Sequence, residues 1–440
     1  MKRLYLIIVI LIATGYFYGQ SSNVLTLEQC IQQGLKNHPT ILSAKYQSDM
    51  AKNNLTQSYG SWLPTISANV GFTKSERGPS SFFAGEYVGP DNPFTNTIVK
   101  SDNYSQRVTV NWNFLDVGVH YYSTKAAQAD VKASKMNYIS AKNQTIMNII
   151  EKFYNVIKQK KIVEALKKAV ERSEEQVRRA EAMYNVGSAA KIDLYRAKVN
   201  FGNDKMALLS GENELENSRQ LLNLAIGQDP LNPIDVEAEL EPVLNIEEFS
   251  GVLEKFQNNN PTIENLKLNR LSSKFRKFAA LGNYFPTIGF YAGYSRSVPQ
   301  SDFLFKEFDR EYSWYYGVSL NFNLFNGFRD HANYQNSVIN FRIANENLRL
   351  QEQQNLSQLK YLYNRFQTLL KVRETNLLNL EAAQEEYNLA QERYRVGSGT
   401  SLEVRDAQVK LSQAEQTLIE ADFNLITVYY QIKALTNEIE

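Results

Sequence analysis

The chain has 440 residues, 48 basic and 47 acidic side chains and one cysteine, for a formal net charge of +1. That balance excludes the electrostatic footprint of a nucleic-acid binder, and a lone Cys30 excludes any disulfide within the chain. Length alone allows two or three ordinary domains, but the order of elements argues for one body built from two like halves.

The first predicted element is a secretory signal peptide over residues 1–19. Met1-Lys2-Arg3 precedes the short apolar run Leu4 to Ile12, and small residues lead to Gly19. The run is too short to span a bilayer, and no later run of about 18 apolar residues predicts a transmembrane helix. Cys30 follows Leu27-Glu28-Gln29, which is no lipoprotein cleavage context, and reads as a buried structural thiol.

Next comes a first repeat over 20–227: a helix, a β-hairpin at about 65–115, a long helix at about 120–185 and a helix at about 190–227. An equatorial linker over 228–260 leads to a second repeat over 261–440, with a hairpin at about 287–325 and helices at about 330–395 and 400–437. Duplicated motifs carry this reading. Asn37-His38-Pro39-Thr40 returns as Asn260-Pro261-Thr262, and Leu63-Pro64-Thr65-Ile66 as Phe285-Pro286-Thr287-Ile288, both 222 residues later. Asn111-Trp112-Asn113-Phe114 returns as Asn321-Phe322-Asn323-Leu324, and Tyr184-Asn185-Val186-Gly187 as Tyr394-Arg395-Val396-Gly397, both 210 later. One loop after Pro64 is therefore longer in the first half by 12 residues. A period this long is a duplicated half and not a solenoid unit.

Four short segments alternate, two in each half: Ile66 to Phe72, Val108 to Phe114, Ile288 to Tyr294 and Trp314 to Leu324 place apolar residues on one face. The opposite face is small and uncharged apart from Arg107, and aromatics (Trp62, Trp112, Phe285, Trp314) gather near the segment ends. That pattern is the signature of transmembrane β-strands; a half-buried soluble sheet would alternate in the same way. Two stretches without proline, after Pro93 and after Pro299, run with helical periodicity. Helices of some 64 residues would be about 95 Å long and must pack as coiled coils. Four strands cannot close a barrel, and an open edge is not tolerated in lipid. The barrel must be shared, and three protomers would supply twelve strands.

Strand hairpin, long helix, Val-Gly turn and shorter helix, all duplicated, resemble the TolC family of outer-membrane efflux channels over essentially the whole mature chain. The best local match is Tyr394-Arg395-Val396-Gly397-Ser398-Gly399-Thr400-Ser401-Leu402-Glu403-Val404-Arg405-Asp406-Ala407. The resemblance implies a mainly α fold with a transmembrane β part. Each protomer would give four strands to a shared 12-stranded barrel and long antiparallel coiled-coil helices to an α-helical barrel crossing the periplasm. It implies a homotrimer in the cell outer membrane without catalytic activity or cofactor. Its partners would be outer-membrane lipid, a periplasmic adaptor (membrane fusion) protein, and an inner-membrane pump or ABC transporter. Export of small toxic compounds is the leading expectation. A type I protein-secretion channel and a secreted, non-channel coiled-coil interaction protein are the alternatives.

The resemblance also points to residues. Val186-Gly187-Ser188 and Val396-Gly397-Ser398 form the turns that meet the adaptor in the family. Glu403 and Asp406 match its paired entrance acids, three apart at a helix start and so on one face, where a trimer would make rings of like charge. Thr400 to Glu403 also fits a capping box. In the first half Asp193 stands for Glu403 and Arg196 for Asp406. Arg196 or Arg405 is expected to pair with a carboxylate on a neighbouring coiled coil and hold the entrance shut. Tyr394 matches a tyrosine of the family's closed state, whereas Gly399 replaces its turn arginine. His38, His120 and His331 are scattered, with no metal-ligand spacing, and the Lys158 to Lys168 stretch reads as a solvated helix face.

Overall fold

The computed structural model describes residues 24–439, so the signal-peptide segment lies outside the described residues. Eight helices and four long strands dominate. Helices α1 (Leu27–Asn37), α2 (Pro39–Gly60), α3 (Val119–Asn185) and α4 (Lys191–Ala225) occupy the first half. Helices α5 (Phe249–Asn259), α6 (Pro261–Gly282), α7 (Arg329–Arg395) and α8 (Ser401–Leu435) occupy the second. Their lengths run 11, 22, 67 and 35 residues in both halves. Strands β1 (Thr65–Arg77) and β2 (Val99–Leu115) precede α3, and β3 (Thr287–Val298) and β4 (Tyr312–Asn321) precede α7.

Two compact units divide the chain, one comprising 48–133 and 266–348, the other comprising the described residues up to 47 with 134–265 and 349–439. The first holds the antiparallel sheet, in the order β1-β2-β3-β4. Register places Ile66, Ala68, Val70 and Phe72 across from Val110, Val108, Gln106 and Tyr104. The same face continues through Ile288, Phe290, Ala292 and Tyr294 to Leu320, Val318, Tyr316 and Trp314. β1 and β2 run five residues beyond the Phe72–Tyr104 ring pair. There the same face carries Lys74 opposite Asp102 at 4.0 Å and Glu76 opposite Lys100 at 3.3 Å. Those charges broke the alternation and hid the strand ends in the sequence. β4 is shorter than its alternation predicts: it stops at Asn321, and Phe322 to Leu324 lie outside it.

At the opposite strand ends, Trp112 Nε1 donates to the Trp62 carbonyl at 2.8 Å and Trp62 Nε1 to Thr124 Oγ1 at 3.0 Å, fixing the hairpin to the first turns of α3. The strand-to-helix elbows share one conformation. Val117 and Gly118 both have positive φ, and so do Gly327 and Phe328 at the matching positions. Glycine thus takes the second place in one elbow and the first in the other. A β-branched residue in the left-handed region is strained by about 1–2 kcal/mol, so Val117→Gly is expected to raise the melting temperature of the assembled protein. An unchanged or lower midpoint in a heated gel-shift series would contradict this.

The second unit has its core where α1, the middle of α3, the end of α4 and the C-terminus converge. Cys30, Ile146, Ile149, Ile150, Phe153, Val156, Leu222, Ile226, Val236 and Ile439 are buried there. Burial pushes the Cys30 thiol up to about 12. Val24–Leu25 pairs in parallel with Asp235–Val236. Lys160 holds that short pairing, with Nζ at 2.7 Å from the Asp235 carboxylate and 2.6 Å from the Val236 carbonyl. Its neighbour Lys158 lies 4.5 Å over the Phe423 ring, its pKa lowered by burial. The expected solvated face is therefore corrected for these two lysines, because their stems bury against the helices and their ammonium groups find aromatic or carboxylate partners.

Candidate functional site

Both Val-Gly turns close their long helices in the same way. Gly187 and Gly397 have φ of 75° and 79°, and the Ser188 and Ser398 amides return to the Met183 and Arg393 carbonyls at 2.9 Å. This is the left-handed helix stop that glycine permits. It leaves Val186 and Val396 at the tips, 79% and 65% exposed. An open crevice between the two tips is lined by Met183, Asp193, Arg196, Tyr394, Thr400 and Ser401, among others. The fold thus brings the first-half residues Asp193 and Arg196 beside Tyr394. The Tyr394 hydroxyl reaches Met183 Sδ at 3.5 Å and ties the tips together.

The expected acids are all partnered. Asp193 accepts from Arg196 of its own helix at 3.4 Å. Thr400 caps the Glu403 amide at 3.2 Å, but the Glu403 carboxylate turns to Arg393 at 3.3 Å and does not complete the capping box. Asp406 lies 2.9 Å from Lys410, which also meets Glu386 at 2.7 Å. The hydrogen bonds that Lys410 donates to Glu386 and Asp406 hold its ammonium above the ordinary lysine range. Gly399 leaves room for this arrangement: a Cβ there would meet Arg393 Cβ at 3.1 Å and the Glu403 carboxylate at 3.2 Å. Arg393, one turn before the tip, therefore supplies a guanidinium beside the turn, and it also donates to the Ser398 carbonyl at 3.1 Å.

Arg196 does not leave its own helix, but Arg405 does. Its guanidinium forms a two-pronged pair with Asp204 of α4, at 2.6 and 2.9 Å. The pair is largely buried, with 18% and 14% of the two side chains exposed. Gln408, fully buried, donates to the Ala169 carbonyl of α3 and to Asp204, and accepts from Gln176. One layer of polar side chains thus joins α3, α4 and α8. A second tie follows, where Arg172 meets Glu415 at 3.2 Å. Sequence reasoning looked at the first helical turn and missed Asp204, although a signal was present. In α8 the row Val404, Ala407, Leu411, Ala414 is the apolar seam. The matching row in α4 is Leu194, Ala197, Phe201, Asp204, so a carboxylate stands where the second half has Ala414.

His120 is an elbow residue. Its ring meets Asp116 at 3.2 Å while the Asp116 carboxylate accepts the His120 amide. Among the described residues no group of histidine, cysteine and carboxylate side chains could hold a metal ion.

Comparison with known proteins places the chain in a family. The profile of the outer membrane efflux protein family matches residues 30–228 and 252–438. The outer membrane protein TolC of Vibrio cholerae serotype O1 is 22% identical over 417 residues, covering 92% of this chain and 89% of its own. Among solved structures, the Campylobacter jejuni CmeC outer membrane channel superposes with a TM-score of 0.80 at 17% identity, covering 94% of this chain and 86% of that one. The outer membrane protein VceC of Vibrio cholerae gives 0.78 at 16% identity, covering 94% and 97%. The open-state MtrE channel of Neisseria gonorrhoeae gives 0.75 at 17%, covering 94% and 89%. These neighbours share the fold. The chain belongs to the outer membrane efflux protein family.

Proposed function

We propose that three copies of this chain form the outer-membrane exit duct of a tripartite efflux system, conducting small compounds passively from periplasm to exterior. The observation that carries the reading is the sheet. Among the described residues its edge strands β1 and β4 have no partner on their outer sides, and below the Lys74–Asp102 charges one face is mostly apolar, with Ile66, Val70, Phe72, Val318 and Leu320 exposed on it. From Phe114 to Tyr104 the face spans ten residues, about 33 Å along a strand. At a tilt of about 40° that is a band some 25 Å tall, the height of a barrel's lipid-facing belt. The strands run antiparallel in sequence order, so β4 of one copy would lie antiparallel to β1 of the next and three copies would close twelve strands. A soluble sheet gives this face no cover. On α4, Ile192, Tyr195, Val199, Met206 and Leu209 form an exposed stripe at heptad spacing, which supports packing against another copy.

In this reading residues 228–260 form a belt around the middle of the duct. Val186, Gly187, Ser188, Val396, Gly397 and Ser398 dock the adaptor, their two valines being the apolar anchors. Asp193, Arg196, Tyr394, Glu403, Arg405 and Asp406 surround the entrance. Because Glu403 and Asp406 each have a basic neighbour, the acidity of the ring is largely offset, and its cation preference should strengthen when Arg393 or Lys410 is removed. The Arg405–Asp204 pair is the latch that keeps the two coiled coils of a protomer together at rest. Adaptor binding at the tips then has to part it. The test is electron microscopy of the detergent-extracted protein, with its mass by light scattering. A three-fold particle of trimeric mass with a helical stem is expected. A monomer that stays soluble without detergent would overturn the reading.

A further inference from the structure

The two external loops differ in a way that the duplication does not foretell. Arg296 of β3 has the same parity as Ile288, Phe290, Ala292 and Tyr294, so it points to the apolar face of the sheet. It is nonetheless 3% exposed. Loop 299–311 covers it. Arg296 Nε donates to the Arg310 carbonyl at 2.9 Å, and Nη1 donates to the Phe303 and Leu304 carbonyls at 2.8 and 3.3 Å. The Phe308 ring lies 5.6 Å from the guanidinium. Below it, the Tyr294 hydroxyl, also on the apolar face, donates to the Phe308 carbonyl at 3.3 Å. Tyr294 is four residues back from the strand end at Val298, about 13 Å along the strand. The loop therefore folds down the outside of the sheet, to the level of Tyr294 and Trp314, and not across the mouth of the strands. It leaves Phe305 66% exposed, with Phe303 and Phe308 also exposed.

Loop 78–98 behaves otherwise. It follows the paired charges Lys74–Asp102 and Glu76–Lys100, and its rings pack on one another, Phe82 with Tyr87 and Phe83 with Phe94. Those charges lie between the loop and the apolar band.

We propose that loop 299–311, clamped by Arg296, is a lipid-contacting shelf: Phe303, Phe305 and Phe308 extend the barrel's upper aromatic girdle into the outer leaflet, whereas loop 78–98 stands in water. The occupant is the acyl-chain and headgroup boundary of the lipid. Three observations choose it. The shelf is continuous with the apolar face, it lies at the height of Tyr294 and Trp314, and its phenylalanines alternate with Asp302, Lys306, Glu307 and Arg310, a mixture suited to the headgroup zone. The inference rests on the outer-membrane reading above.

The test is spin-label accessibility in the assembled protein reconstituted into phospholipid vesicles. Cys30 is buried and will not compete for the label. Nitroxides are placed at Phe305→Cys and Phe308→Cys, with Val318→Cys on the apolar face of β4 and Phe94→Cys in loop 78–98 as references. The ratio of collisions with oxygen to collisions with a water-soluble nickel chelate should be severalfold higher at 305 and 308 than at 94, and should approach that at 318. Adding Arg296→Gln should lower the ratio at 305 toward that at 94. A water-like ratio at 305 and 308, with 318 still lipid-like, overturns the shelf and leaves the channel standing. Low collision rates with both reagents would mean that a neighbouring copy covers the loop, which also overturns it. A water-like 318 would sink the membrane reading itself, and the shelf with it.

Discussion

Asp204→Ala is expected to open the resting channel. Removing one partner of a buried, two-pronged ion pair leaves the other charge stranded, at a cost of about 3 kcal/mol. Here the stranded group is Arg405, wedged between α4 and α8 with Gln408 beside it. Every 1.4 kcal/mol changes an equilibrium tenfold, so the closed-to-open ratio should fall roughly a hundredfold. The check is single-channel conductance in a planar bilayer. Arg405→Ala should give the same phenotype, and the double variant should add little, because both act on one contact. Arg196→Ala is the contrast. Its pairing with Asp193 is a solvent-exposed contact within one helix, worth less than about 1 kcal/mol, so conductance should hardly move. Wild-type conductance in both Asp204→Ala and Arg405→Ala would remove the latch from the mechanism.

Gly227→Val should abolish assembly. Gly227 closes α4 with φ of +74°, and a Cβ there would meet the His38 Cα at 3.1 Å and the Asn37 carbonyl group at 3.2 Å. The neighbours are backbone atoms at the α1–α2 junction and cannot swing aside. Left-handed strain of about 1–2 kcal/mol adds to an overpacking cost of about 1–3 kcal/mol, a large fraction of a typical folding free energy. Gly397→Val carries the same φ strain, but nothing lies within 4 Å of its Cβ. It should therefore assemble with only a lowered melting point. The readout is the detergent-resistant oligomer band on a gel, followed with temperature. A Gly227→Val protein that assembles like the wild type would refute the argument. In the second half the matching position is Asn437, at φ +59°, and its side chain accepts from Asn143 at 2.6 Å. Asparagine enters that conformation more readily than most side chains, and the bond from Asn143 holds it there, so the duplication could dispense with glycine.

Much of this architecture could be read from residue order. Proline-free stretches located the long helices, and period-two alternation located the strands, because both signals are local and repeat over many residues. The Val-Gly turns were legible for the same reason: a helix stop needs a residue that accepts positive φ. What escaped depends on partners far away in sequence. Asp204 looks like any surface acid until Arg405, about 200 residues later, is placed beside it. Lys160 belongs to a basic run, and only the strand at Asp235–Val236 shows why it turns inward and is half-buried. Arg296 sits in a strand pattern that favours apolar residues, and its carbonyl partners lie in a loop with no regular signal. At the start of α8, the spacing of Glu403 and Asp406 showed that they share a face but not that Arg393 and Lys410 pair with them. The strand ends were hidden because Lys74, Glu76, Lys100 and Asp102 satisfy one another in pairs that a linear pattern cannot display.

The matching helix lengths have a consequence for how such a protein can change. Helices of 67 and 35 residues occur in both halves, and α8 packs its apolar row against α7 while holding α3 and α4 through Gln408 and Arg405. A single inserted residue in α3 would rotate everything beyond it by about 100° and carry Ala169 and Gln176 out of reach of Gln408. Even a whole heptad, which preserves the facing side, would leave one tip protruding by about 10 Å unless α4, α7 and α8 lengthened together. Stem length is therefore inherited as a joint property of four helices. Across descendants of this sequence it should change in whole-heptad steps taken by all four at once, while the loops at 78–98 and 299–311, which answer to no partner of equal length, drift freely.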